Sequence, residues 1–174
     1  AADRFSVKIQ GKGGHAAMPH TTVDALMVAA TIVANLQTLV SREIDPLSPA
    51  VVTTAILHAG GTAHNIIADR ATFAGSVRWF DGPTGDLLAE RIPAIIKGVA
   101  ESMRATAEVE YSRDVPPTVN DATIAALVRE VAAGVEGVTA SVPGAQTMGS
   151  EDFSEFTQRV PATFFFVGTR DEVS

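Results

Sequence analysis

Four histidines, His15, His20, His58 and His64, are the first residues in this sequence that suggest chemistry. An imidazole can ligate a metal, move a proton, or donate a hydrogen bond to a developing oxyanion. The spacing argues against a metal site built by this chain alone. His15 and His20 stand five apart across a Gly/Pro-interrupted stretch, and no H-E-x-x-H occurs. In Gly13-Gly14-His15 two glycines would let the backbone approach a ligand closely, with the imidazole as oxyanion donor. The same three residues also read as a glycine turn with an exposed histidine. Asn65, between Gly60-Gly61 and Ile66-Ile67, could position a polar ligand or satisfy its own turn. Arg78 sits mid-strand with Ser76 and Thr72 on its face, where a guanidinium could hold a carboxylate bidentately or simply be solvated. Gly149-Ser150-Glu151-Asp152 places two acids before a short helical stretch, an arrangement the helix dipole favours in any case. No G-x-S-x-G surrounds Ser150, so it is not read as a nucleophile.

Composition narrows the classes. A net charge of −7 with 13 scattered Lys and Arg gives no basic patch for nucleic acid. The chain has no cysteine, so disulfides, thiolate ligands and a Cys nucleophile are out, which fits a cytoplasmic protein. The longest apolar stretch, Ala25 to Val40, is interrupted by Thr31, Asn35, Gln37 and Thr38. It falls short of the ~18 residues of a membrane span, and no membrane partner is expected. At 174 residues there is room for one domain and part of another. The opening at Ala1, directly into strand-like sequence, suggests a piece of something longer.

These residues need elements to hold them. Arg4 to Gln10 alternates, with Phe5, Val7 and Ile9 on one side, which predicts a half-buried strand. Thr21 to Arg42 predicts a helix capped by Thr21, with Leu26, Ala29, Ala30, Val33, Leu36 and Val40 inward. Ala50 to His58 and Ala71 to Phe80 predict strands, the second facing Phe73, Val77 and Trp79 inward. Thr84 to Arg104 predicts a second helix, although Pro93 should kink it. Ala107 to Ser112 alternates again. The order β-α-β-β-α-β is that of the ferredoxin-like fold, an α/β (α+β) arrangement with a four-stranded antiparallel sheet and two helices on one face. After Pro116-Pro117 come a helix capped by Asp121, a Gly/Pro-rich loop at 143–149, a short helix near Asp152 to Gln158, and an apolar run, Thr163 to Val167, read as a buried strand. The boundaries expected are 3–113 for the first domain and 114–174 for an incomplete α/β segment.

Taken in order, the motifs resemble one family. Gly11-Lys12-Gly13-Gly14-His15-Ala16-Ala17-Met18-Pro19-His20, with Asp24 following, is similar to the lid entry of the aminoacylase/carboxypeptidase clan of metal-dependent amidohydrolases. The branch it most resembles is that of hippurate hydrolase and the auxin-conjugate hydrolases. Gly60 to Asp69, Gly75-Ser76-Val77-Arg78, and Met148 to Phe153 with Pro161 and Phe164-Phe165-Phe166 resemble further motifs of that family. The resemblance implies a lid and dimerisation domain, a homodimer, an N-acyl amino acid substrate, and zinc or manganese in the parent enzyme. It implies that His15 reaches the partner subunit's active site to stabilise the oxyanion. Asn65 and Arg78 would hold the substrate's carboxylate side, and Gly149, Ser150 and Glu151 would line the pocket. The family's metal ligands match nothing here and are expected before Ala1 and after Ser174. No metal is therefore expected on this chain, and it should be inactive alone. Two other classes remain: a non-catalytic oligomerisation module, and a ferredoxin-like small-molecule sensor.

Overall fold

The computed structural model describes residues 1–138 and 146–168, so positions 143–145 of the Gly/Pro-rich loop lie outside the described residues. The chain divides into two units, Ala1–Asp114 and Val115 onward.

In the first unit the strands are β1 (Ala2–Gln10), β2 (Gly14–His15), β3 (Ala50–Ala59), β4 (Ile66–Ile67), β5 (Arg70–Trp79) and β6 (Thr106–Val115), with helices α1 (Ala25–Thr38) and α2 (Gly82–Ser102). The main sheet has the order β3-β5-β1-β6. β1 and β3 both run antiparallel to β5, with Phe5 opposite Gly75 and Val52 opposite Val77. This is the ferredoxin-like topology expected from the order of elements. Period two decides which side is wet. Phe5, Val7 and Ile9 of β1 and Ala71, Phe73, Val77 and Trp79 of β5 are buried beneath the helices. The opposite face is polar: Arg4 pairs with Asp114, and Ser6 donates to Glu110.

The stripe predicted for α1 is corrected. Leu26 is 44% exposed and Ala30 is exposed, whereas Ala25, Val28, Ala29, Ile32 and Leu36 are buried. The cap also differs from the expectation. Asp24, not Thr21, accepts from the backbone N–H groups of Leu26 and Met27, and Thr21 ends a 3-10 turn begun by Pro19. The helical segment continues as a wider π turn, so Ala25–Glu43 spans 19 residues and is long and apolar enough, by length and composition, to cross a membrane. The expectation that no run reaches that length is thereby corrected. In this fold the apolar stripe lies in the core of the first unit.

α2 runs on through Pro93. Proline removes one amide donor, but Leu88, Ile92 and Ile96 on either side are fully buried, and that packing holds the helix together. Asp81 caps it, accepting from the backbone N–H and the hydroxyl of Thr84. Arg91 then clamps Glu43 with two short bonds, 2.6 and 3.0 Å, tying α2 to the end of the first helical segment. That hydrogen-bonded pairing holds the Glu43 carboxyl below its usual range.

The second unit contains α3 (Ala122–Ala133), capped by Asp121 and ended at Gly134, and the single turn α4 (Ser154–Thr157). Thr163 to Val167 is not a strand, contrary to expectation. Phe165, Phe166 and Val167 are 59%, 79% and 74% exposed. A strand exists only against a neighbour, and no described strand in this unit pairs with it. Asn120 fastens the run instead, its side chain bonding both the carbonyl and the N–H of Phe164. Phe153, Phe156, Phe164 and Phe166 stack along one another there.

Candidate functional site

β2 and β4 together form a small second sheet, with Gly14 opposite Ile67 and His15 opposite Ile66. Two loops distant in sequence are thereby laced together. The N–H of Ala16 donates to the carbonyl of Asn65 at 2.9 Å, Gly11 N–H to Asp69 at 2.8 Å, and Ala25 N–H to Ala68 at 3.2 Å. Lys12 and Val23 exchange both backbone bonds at 2.9 Å, which closes residues 12–23 into a ring.

The glycines are required by proximity. A Cβ on Gly13 would stand 2.9 Å from the Ile67 carbonyl oxygen, and one on Gly14 would stand 2.7 Å from the Thr22 methyl. Only a residue without a side chain lets the strands approach this closely.

His15 and Asn65 are both exposed on the resulting platform. The Nδ1 of His15 accepts the N–H of Ala17 at 3.1 Å. In the neutral imidazole that bond assigns the proton to Nε2, which leaves an N–H donor on the ring's outer nitrogen. The structure thus brings two of the predicted site residues together: an imidazole donor and an amide, presented side by side on a braced loop pair.

Arg78 is elsewhere. It is half-buried on the polar face of the main sheet, opposite Val51 of β3. β4 lies just before the Arg70 end of β5, and Arg78 stands eight residues further along that strand, roughly 26 Å at the usual rise per residue. Among the described residues Arg78 has no ion pair.

In the second unit, Gly149 donates its N–H to the Thr147 hydroxyl at 3.2 Å. Gly149 and Ser150 are exposed, and the Glu151 carbonyl accepts from the Ser154 N–H. An open cleft in that unit is lined by Asn120, Asp121, Gln158, Arg159 and Pro161, and by none of the candidate residues. Among the described residues no three His, Cys, Asp or Glu side chains gather where they could hold a metal ion.

One buried polar centre escaped the sequence reading. Asp3, 2% exposed, accepts at a single oxygen, Oδ2, from Trp79 Nε1 and from the Tyr111 hydroxyl, each at 2.8 Å. Its other oxygen has no partner. Burial, and then the bond to Asp3, raise the Tyr111 hydroxyl far above its ordinary range. The signal was present: Asp3 has the same parity as Phe5, Val7 and Ile9, an acid on the core side of a strand.

A family profile described as the M20 peptidase dimerisation domain matches residues 2–104. The chain belongs to that family. It is 39% identical over 172 residues to IAA-amino acid hydrolase ILR1-like 4 of Arabidopsis thaliana, covering 97% of this chain and 39% of that protein. It is 36% identical over 169 residues to N-acetyl-L-cysteine deacetylase of Bacillus subtilis, covering 97% of this chain and 40% of that protein. A solved Bacillus subtilis protein, YxeP, described as a dinuclear metal-binding peptidase of the M20 family, superposes with a TM-score of 0.72 at 28% identity. That match covers 94% of this chain and 40% of YxeP. The chain thus spans about two fifths of the length of the curated relatives it matches.

Proposed function

We propose that the parent of this M20 dimerisation domain is a cytoplasmic, metal-dependent amidohydrolase that cleaves the amide bond of N-acyl amino acids, with hippurate-like compounds as the model substrate. The observation that carries the reading is the platform itself: His15 and Asn65 sit side by side, while Arg78 lies at the far end of β5. One ligand cannot touch all three residues of a single copy. Two copies resolve this, with the His15–Asn65 platform of one serving the site of the other.

In that arrangement the Nε2–H of His15 donates to the oxygen that gains charge as the amide carbonyl is attacked. Asn65 holds the polar body of the substrate, and Arg78 takes its carboxylate with two parallel bonds. Gly149, Ser150 and Glu151 are assigned to substrate contacts in the parent enzyme, as the resemblance of their motif implies. A divalent metal, zinc or manganese, supplies Lewis-acid polarisation and is held by parts of the parent other than this chain. On this reading the chain alone binds no catalytic metal and does not hydrolyse amides. Stoichiometric zinc together with hippurate cleavage by the purified chain would sink it. The names of the Arabidopsis and Bacillus relatives, an amino acid conjugate hydrolase and an N-acyl amino acid deacetylase, support the substrate class.

The partner is a second copy, joined through the sheet edge. β3 is an outermost strand, and a bulge between Thr54 and Ile56 leaves both Ile56 (52%) and Leu57 (47%) exposed. Apolar side chains on an unpaired edge favour pairing with another chain. The competing reading, a passive oligomerisation module, rests on this same edge. Replacing His15 by Ala in the full-length parent separates them. Lost turnover with an intact dimer supports the catalytic reading, and unchanged turnover overturns it.

A further inference from the structure

We propose that Arg104 is a positioning residue for His15 and acts through Thr22; this rests on the oxyanion reading of His15 given above. Arg104 is the only non-glycine residue with positive φ among the described residues, at 67°. It stands just past the end of α2, where its N–H bonds the Glu101 carbonyl at 2.9 Å. Glycine is the usual occupant of such a helix-ending position, because a side chain there is strained. The arginine has a use that glycine lacks. Its Nη2 reaches 82 residues back along the chain and donates to the Thr22 carbonyl at 3.1 Å.

Thr22 is the closing stone of the His15 loop. It is 3% exposed, and every polar group it has is engaged. Its hydroxyl donates to the Pro19 carbonyl at 2.8 Å and its N–H to the same oxygen at 3.1 Å. Its methyl fills the space against Gly14, the residue before His15. Its neighbour Val23 makes the paired bonds with Lys12 that close the ring. A charged donor on the Thr22 carbonyl therefore fixes the floor on which Gly14 and His15 rest. The Ala17-to-Nδ1 bond that selects the Nε2–H tautomer depends on the same loop geometry.

The test begins with this chain, labelled with nitrogen-15, and with Arg104→Gly, which relaxes the backbone while removing the guanidinium. The wild type should show His15 as the Nε2–H tautomer, with its signals assigned by their loss in His15→Gln. Arg104→Gly should shift them towards a tautomer mixture. It should also speed amide exchange at Lys12 and Val23 about tenfold, leaving Phe73 and Val77 unchanged. Thr22→Ser, which removes only the methyl, should act in the same direction, and Arg104→Lys should restore part of the effect. In the full-length parent, Arg104→Gly should lower kcat about tenfold with KM nearly constant. Unchanged imidazole signals and exchange would overturn the proposal. So would a loosened loop with unchanged kcat, provided His15→Ala abolishes turnover. If His15→Ala leaves turnover intact, the oxyanion reading fails by itself, and the imidazole and exchange measurements decide the brace.

Discussion

The backbone N–H of Ala16 donates to the carbonyl oxygen of Asn65 at 2.9 Å, and that bond joins the loop bearing His15 to the loop bearing Asn65. The two loops can approach this closely because Gly13 and Gly14 carry no Cβ. Gly13→Ala would press a methyl against the Ile67 carbonyl, a backbone atom that cannot swing aside. We expect a loss of about 1–3 kcal/mol, read by urea unfolding through Trp79, the chain's one tryptophan. Gly61→Ala is the control: nothing lies within 4 Å of its Cβ, and stability should hardly change. Equal losses in both variants would contradict the close-approach argument.

Tyr111 predicts an alkaline limit. Its pKa is raised in the fold, first by burial and then by its bond to Asp3. A raised folded pKa means the contribution to stability is complete below the unfolded value, about 10, and is lost as pH climbs above it. The phenolate absorbance of this one tyrosine should therefore appear only as the chain unfolds. Tyr111→Phe should flatten the alkaline limb and cost roughly 1–2 kcal/mol at neutral pH, since Asp3 loses one of its two donors. Phenolate appearing near pH 10 with the fold intact would disprove this.

The opposite limb belongs in part to Asp81. Its pKa is lowered, chiefly by the Thr84 N–H and then by the Thr84 hydroxyl. A depressed folded pKa gives stability that is present above the unfolded value, about 4, and is lost as pH falls through the folded one. Asp81→Ala should cost about 1 kcal/mol as a lost helix cap. Asp81→Asn should keep most of the cap while making stability less sensitive to acid. Thermal unfolding between pH 3 and pH 7 on all three proteins measures it.

The exposed edge at β3 predicts an association that one charge can undo. Ile56→Lys places an ammonium where a second strand would lie, and we expect the dimer dissociation constant to rise at least about tenfold. Sedimentation equilibrium over a range of concentrations reads this directly. A wild-type chain that stays monomeric at every concentration would remove the edge from the proposed assembly.

Much of the first unit was legible because strands with one buried face repeat every two residues. Phe5, Val7 and Ile9, and Phe73, Val77 and Trp79, were read correctly for that reason. The face of α1 was read only in part, with Ala29 and Leu36 buried and Val33 and Val40 packed against the core, because apolar residues surround the helix. Leu26 and Ala30 competed with Val28 and Ile32, and only the sheet decides between them. Thr163 to Val167 was apolar enough for a strand, but composition cannot supply a neighbour. His15 and Asn65 were legible as chemical types. Their adjacency was not, since it depends on a two-residue ladder between Gly14–His15 and Ile66–Ile67, too short to leave a periodic trace.

β1 and β6 are neighbours, and Arg4 of the first is bonded to Asp114 of the second at 2.7 Å. A chain that enters this unit through β1 and leaves through β6 does so through one doorway, about one strand spacing, ~5 Å, wide. The whole ferredoxin-like body is therefore a cassette. A host protein has to open a single peptide link to receive it, and can give it up by closing that same link.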